Sequence, residues 1–257
     1  MAEYTLQEMM TIVAAREIKN NEIVFCGTGV SMLASMAAKY ITAPNVIMFF
    51  ETGAIDVQFE QTPLSASDPR LMHGAIRLAG LAEAFHTMQN RFTGNNIVGI
   101  LGAAQIDMYG NLNSTSLGDY HHPRIRFCGS GGGCDVGSLV GRTILFMELG
   151  RDKFVPRVDY ITTPGFLDGG DARVRAGLPG NGPSLVVTNR GCFRFDDVTK
   201  KMYLDRYYPG IDPQEIQDNI SFEIDLSRAT EAIPPSPEEL DILRNKCDPE
   251  RLFLKSK

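Results

Sequence analysis

Glu51 is the residue that first invites a chemical reading. In IMFFETGAID, residues 47–56, four apolar residues run into it, and Thr52 and Gly53 follow. The run reads as a buried strand, and in open parallel sheets ligands gather at the carboxyl ends of strands. A carboxylate there is partly desolvated, which favours the neutral form unless nearby donors hold the charge. It can serve as a base or as a nucleophile towards an acyl group. The plainer reading is a strand that ends in a solvated glutamate. A second stretch, GAAQIDMYGNLNSTS (102–116), ends a buried strand at Asp107, turns at Tyr109-Gly110-Asn111 and then offers Asn113, Ser114, Thr115 and Ser116. Amide and hydroxyl groups clustered there suit a carboxylate or carbonyl oxygen, or a turn that satisfies its own backbone. A third stretch, GSGGGCD (129–135), has glycine at four of its first five positions. Such a backbone comes close to a ligand and aims N–H groups at one spot, which suits a phosphate or an oxyanion. A flexible loop is the alternative.

Other chemistries find less support. GSGGGCD has no lysine where a P-loop needs one, and no glycine at the sixth place of a dinucleotide fingerprint. His121 and His122 are adjacent, so on an extended segment they point to opposite sides and make a poor metal pair. There is no HExxH and no GxSxG. Cys26, Cys128, Cys134, Cys192 and Cys247 are odd in number and widely spaced. They read as reduced thiols, and no metal site is expected.

The elements that would position these groups follow from periodicity. Residues 5–19 carry Leu6, Met9, Met10, Val13 and Ile18 at helical spacing, and Thr5 with Glu8 has capping-box form. A strand in NNEIVFCGTG, a helix from near Ser31 and a strand in APNVIMFFE make a strand–helix–strand unit. Residues 69–90 read as mainly helical, NIVGILGAAQID as one buried strand, and the polar stretch 108–135 as a functional loop with a short strand at RIRFCG. RTILFMEL and RVDYITT read as strands, GPSLVVTNRGCFRFDDVTKKMYLDRYYPG as β-hairpin material, and DPQEIQDNI and SPEELDILRNKCD as capped helices. The expected fold is α/β, an open and mostly parallel sheet with flanking helices. It forms a single domain over residues 1–257, with its last third as a tail-like extension over the sheet.

Composition bounds the rest. The chain is 43% hydrophobic and 22% charged, an ordinary globular balance long enough for such a domain. The net charge of -6, with no basic run, gives no support for a nucleic-acid or anionic-membrane surface. No stretch approaches about 20 uninterrupted apolar residues, so no membrane span is expected. The N-terminus lacks the basic start and apolar core of a signal peptide, and a cytoplasmic protein is expected.

Several stretches together carry a resemblance. FETGAID is similar to the catalytic-glutamate stretch of the β subunit of family I CoA-transferases, and GAAQIDMYGNLNSTSLGDYHHPRIRFCGSGGG resembles that subunit's longest block nearly residue for residue. VDYITTPGFLDGG, GLPGNGPSLVVTNRG and KKMYLDRYYPG extend the likeness, which runs from about Tyr4 to about residue 250 and is nearest the glutaconate type. Many β subunits carry SENG at the catalytic stretch, whereas here Phe50 precedes Glu51 and Thr52 follows.

The resemblance implies an enzyme that moves CoA between carboxylic acids by a ping-pong route. Glu51 is then the nucleophile, passing through a glutamyl anhydride and a glutamyl-CoA thioester. Oxyanion or substrate contacts fall to Asn113 or Ser114 and to the backbone at Gly131 and Gly132. CoA is a substrate and no cofactor is implied. The implied partners are an α subunit, without which the chain is inactive, together with acyl-CoA and a carboxylic acid, glutaconate or a related dicarboxylate. An acyl-CoA hydrolase or decarboxylase on the same fold is the alternative. A ligand-sensing module is disfavoured, because no output domain is apparent.

Overall fold

Thr5 and Glu8 start the first helix as their spacing predicts. The Glu8 N–H donates to Thr5 Oγ1 at 3.2 Å, and the Thr5 N–H donates to the Glu8 carboxylate at 2.8 Å. The computed structural model describes residues 3–254. They form two compact units, one holding the chain up to Ile100 and again from Pro234, the other holding Leu101–Ile233.

In the first unit, α1 (Leu6–Glu17) buries Met9, Ile12 and Val13 and packs against α2 (Val30–Ile41). Between them runs β1 (Ile23–Cys26). It lies parallel to β2 (Ile47–Phe50) on one side, with Cys26 opposite Phe50, and to β5 (Ile97–Gly102) on the other. β3 (Ala54–Ile55) and β4 (Arg77–Leu78) continue the sheet antiparallel beyond β2. The β1–α2–β2 unit is therefore the expected one. Residues 69–90 are not one helix. They hold a single 3-10 turn at Pro69–Met72, then β4, then α3 (Leu81–Gln89). The reason is Gly53, whose backbone presses on Ala79 and accepts its N–H at 2.9 Å, which holds the segment before α3 extended.

In the second unit, β10 (Arg142–Phe146) lies parallel to β12 (Pro183–Val187). The antiparallel pairs β12/β13 (Gly191–Phe195) and β13/β14 (Met202–Tyr207) follow, and β15 (Thr230–Glu231) closes parallel to β14. The hairpin turn at Thr188–Arg190 is thus where the NRG signal puts it. A small sheet joins β6 (Gln105–Asp107) to β7 (Leu112–Asn113) and β11 (Phe154–Val155), and a ribbon joins β8 (Ser116–Leu117) to β9 (Ile125–Arg126). Ile106, Leu112, Leu145, Phe154, Val186, Phe193 and Leu204 share one apolar core. Three expectations shift. NIVGILGAAQID is two strands, because the chain leaves β5 at Gly102 and starts β6 in another sheet. RVDYITT is no strand and makes only an isolated bridge from Thr163 to Leu112. Gly133–Leu139 is a short helix despite its glycines, with Val136 buried as its anchor.

The last third is not a tail. β12 to β14 are sheet strands, and the helix Pro237–Ile242 returns to the first unit. There Arg16 makes a two-pronged ion pair with Glu239, at 2.7 and 2.6 Å. Arg244 does the same with the buried Glu8, at 2.6 and 2.9 Å. The fold as a whole is the expected class, a mixed-parallel sheet with flanking helices.

Candidate active site

Glu51 occupies a turn that ends β2. The Gly53 N–H donates to the Phe50 carbonyl at 2.9 Å. Gly53 sits at φ +93°, and a Cβ there would lie 1.9 Å from the Ala79 carbonyl oxygen. Only glycine meets both demands. Thr52 Oγ1 donates to the Ala66 carbonyl at 3.0 Å, which ties down the other side of the turn. Met48, Phe49 and Phe50 are buried, and Glu51 is half-buried where the strand emerges. Among the described residues its carboxylate has no hydrogen-bond donor and no ion-pair partner. Lys39, in the last turn of α2, is engaged with Asp56 at 2.6 Å.

The β1 strand leaves the sheet beside it. Because Cys26 and Phe50 are register partners in parallel strands, Gly27 and Glu51 emerge side by side at the carboxyl edge. Gly29, at φ +77°, turns the chain into α2, whose first N–H groups receive no side-chain cap. In the sequence this glycine stretch reads only as a turn. The signal for more is the CGTG spacing directly after an apolar strand, the usual place for a ligand in such sheets.

The other expected residues lie in the second unit. Asn113 is fully buried and its amide is committed. Its Nδ2 donates to Gln105 Oε1 and to the Ser116 carbonyl, both at 2.7 Å, while Oδ1 accepts from Thr115 and Ser116 N–H. Ser114 holds the glycine loop. Its Oγ donates to the Gly129 carbonyl at 2.9 Å, its own carbonyl accepts the Gly129 N–H at 3.0 Å, and its N–H donates to Thr162 Oγ1 at 2.9 Å. Gly131 is exposed at φ +50°, with open space where a side chain would stand. Gly132 caps the short helix Gly133–Leu139. Among the described residues no acceptor faces the N–H groups of Gly131 or Gly132. The structure thus joins Ser114 to the glycine loop through Gly129 and places Asn113 beneath the turn that precedes it.

Two supports have no plain signal in the sequence. Asp107 is buried, and burial pushes its carboxyl above the usual range, against the pull of the Asn111 amide and the N–H groups of Tyr109 and Asn111. Asn111 in turn accepts from the Gly165 and Leu167 N–H groups at 2.9 and 3.0 Å, pinning the 164–167 loop to the GNLN turn. The thiols divide cleanly. Burial pushes Cys26 up to about 12, Cys192 up to about 11 and Cys247 up to about 12, which leaves them unreactive, while Cys128 and Cys134 are exposed. His121 and His122 are exposed, and neither joins a metal cluster among the described residues. No helix among those residues is long and apolar enough to cross a membrane.

Known proteins share both the sequence and the fold. The family model described as Coenzyme A transferase matches residues 7–219. The B-type subunit of the glutaconate CoA-transferase of Acidaminococcus fermentans is 38% identical, covering 98% of this chain and 95% of its own length. The B-type subunit of the 3-oxoadipate CoA-transferase of Pseudomonas knackmussii is 31% identical, covering 95% and 94%. The crystal structure of glutaconate coenzyme A-transferase from Acidaminococcus fermentans superposes with a TM-score of 0.95, covering 99% of each chain at 38% identity. With a family model over most of its length and close relatives end to end, the chain belongs to the coenzyme A transferase family.

Proposed function

We propose that this chain is the B-type, or β, subunit of a heteromeric CoA-transferase that moves CoA between carboxylic acids, with Glu51 as the covalent acceptor. The observation that carries the reading is the Glu51 carboxylate itself. It is half-buried at the carboxyl edge of parallel strands, beside the Gly27 turn, and engaged with nothing among the described residues. A structural carboxylate in such a place would ordinarily be paired. A nucleophile must keep its lone pairs free. The named relatives act with glutaconate and with 3-oxoadipate. Both are dicarboxylic acids, and a dicarboxylate is the substrate class this reading adopts. The chain works with an α-type partner.

In this mechanism the Glu51 carboxylate attacks the thioester carbonyl of a donor acyl-CoA. The C–S bond breaks, CoA leaves as thiolate and a mixed glutamyl anhydride remains. The thiolate then attacks the glutamyl carbonyl, which releases the donor acid as a carboxylate and leaves a glutamyl-CoA thioester. The acceptor carboxylate reverses both steps and leaves as the new acyl-CoA, with Glu51 restored. Every step exchanges one leaving group for another on a carbonyl, so water must be kept out. Each tetrahedral intermediate carries an oxyanion that preorganised donors stabilise. The unengaged N–H groups of Gly131 and Gly132 are assigned that role. Ser114 and Asn113, whose protons are used within the protein, act by positioning.

The test is to incubate the chain, assembled with its α-type partner, with acyl-CoA and then with borohydride or hydroxylamine. The reading requires a modified Glu51 in the peptide digest, and exchange that stops without an acceptor acid. Steady release of free CoA with no acceptor present would reassign the protein as a hydrolase.

A further inference from the structure

One cavity lies wholly within the second unit, and Glu51 does not line it. It encloses about 630 Å³ between the β13–β14 hairpin tip and the 166–184 segment. Arg173, Arg194, Lys200 and Arg228 line it, against Asp196 and Asp197. Arg194 is paired with Asp205 at 3.2 Å and Arg228 with Asp196 and Asp225, so Arg173 and Lys200 are the lining cations without an ion pair among the described residues.

Two of these cations lack the partner that burial normally demands. Arg173 is 3% exposed. Its two terminal nitrogens donate to the carbonyls of Pro164, Gly165, Gly137, Ser138 and Pro179, so it meets no carboxylate, and its Nε has no acceptor at all. Lys200 is half-buried at φ +60°, and its ammonium lies 5.3 Å from the centre of the Phe166 ring. Among the described residues it pairs with no acid. Arg228 is held in place from below. Its guanidinium bonds Asp196 and Asp225, each at 3.0 Å, and lies 4.6 Å from the centre of the Tyr203 ring. Asp196 is itself fixed by the Val198 and Thr199 N–H groups and the Thr199 hydroxyl. Asp197 is exposed and makes no ion pair among the described residues.

We propose that this cavity binds the phosphoryl group of a small phosphorylated molecule, with the Lys200 ammonium and Arg228 as its principal charge contacts. An ammonium left over an aromatic face, with no acid of its own among the described residues and beside a guanidinium already fixed in place, calls for an anion rich in acceptors. A phosphate supplies three oxygens and up to two charges to such a cluster. Arg173 lies in the wall and adds field rather than a movable contact. The phosphate has two chemical sources, a nucleotide moiety such as the one CoA carries or a free phosphate ester.

The test uses the full chain assembled with its partner. Binding is followed by calorimetry with adenosine 3′,5′-bisphosphate, inorganic phosphate and, as the uncharged control, adenosine. The wild type should bind at least one of the two phosphates and not adenosine, more weakly as salt rises. Lys200→Glu should weaken that binding at least about tenfold, Lys200→Gln less, and Asp197→Asn should strengthen it. Lys200 lies on a hairpin tip, so both variants should keep the wild-type melting temperature. In the same proteins, a raised KM for acyl-CoA with an unchanged KM for the acyl-pantetheine fragment assigns the phosphate to CoA. Unchanged KM for both assigns it to a free ester. Either pattern upholds a phosphoryl site. Absence of phosphate binding by the wild type, or binding that Lys200→Glu leaves intact, overturns it. The calorimetric result does not depend on turnover, so it stands or falls apart from the transferase reading.

Discussion

Ser114 and Gly129 are bonded to one another twice. The Ser114 hydroxyl donates to the Gly129 carbonyl at 2.9 Å and the Gly129 N–H donates to the Ser114 carbonyl at 3.0 Å. This double tie fixes where the glycine loop begins. Ser114→Ala removes one bond of a part-buried pair and should cost about 1 kcal/mol of stability. If the loop supplies oxyanion donors, kcat should fall roughly 10- to 100-fold with KM little changed, since a small displacement of such donors is costly. Steady-state kinetics beside a thermal melt separates the two effects. An unchanged kcat removes the loop from the chemistry.

Glu51→Gln keeps the size and removes the charge. Exchange should fall at least about a thousandfold while the complex still assembles. Glu51→Asp keeps the charge but draws it back by one methylene, and should retain about a hundredth of the wild-type rate. Isotope exchange between labelled acid and acyl-CoA measures both. Equal loss in the two variants would mean that charge alone does not explain the position.

Gly53→Ala places a methyl group against the Ala79 carbonyl at a backbone angle that glycine alone tolerates. The expected cost is about 2 kcal/mol or more, combining strain and displacement of β4. The melting temperature should drop, and activity should fall further than stability alone explains, because Glu51 is two residues away. Gly131→Ala is the control. It has a positive φ but open space, so it should cost less stability.

Stability should decline in acid through the ties that hold the terminal helix. Burial raises the Glu8 carboxyl, but Arg244 and the Thr5 N–H more than offset this, and its pKa ends below the ordinary value of 4.5. Glu239 behaves the same way through Arg16 and Ser236. A depressed carboxyl contributes stability that is complete above its unfolded pKa and is lost as pH falls through the folded one. The loss should therefore begin near pH 4.5 and grow downward. Melts from roughly pH 3 to 6 should show it, and Glu8→Gln should flatten the slope. Removing the Glu8 charge from this part-buried pair, whose Arg244 side chain is 30% exposed, should cost about 2 kcal/mol at neutral pH.

How much of this could be read from the residues varies with what fixed them. Thr5 with Glu8, the apolar runs of β1 and β2, and the NRG turn are local signals, and each element formed where its signal lies. Residues 69–90 misled because their helical spacing is real only from Leu81 onward. Before that a contact from Gly53, some 26 residues upstream, keeps the backbone extended. The break of NIVGILGAAQID between two sheets likewise has no local marker beyond two small residues. At the candidate site, Glu51 and the glycine loop were legible as types in sequence. The commitment of the Asn113 amide was not, because Gln105 and the Ser116 carbonyl reach it only after β6 and β7 pair.

Arg16 with Glu239 and Arg244 with Glu8 have a consequence for biosynthesis. These clamps fasten the segment that follows Pro234 onto α1, with the entire Leu101–Ile233 unit made in between. A ribosome therefore finishes the middle of the molecule before it can close the part made first. Until the segment from Pro234 onward emerges, the nascent chain carries Glu51 on an unsealed scaffold.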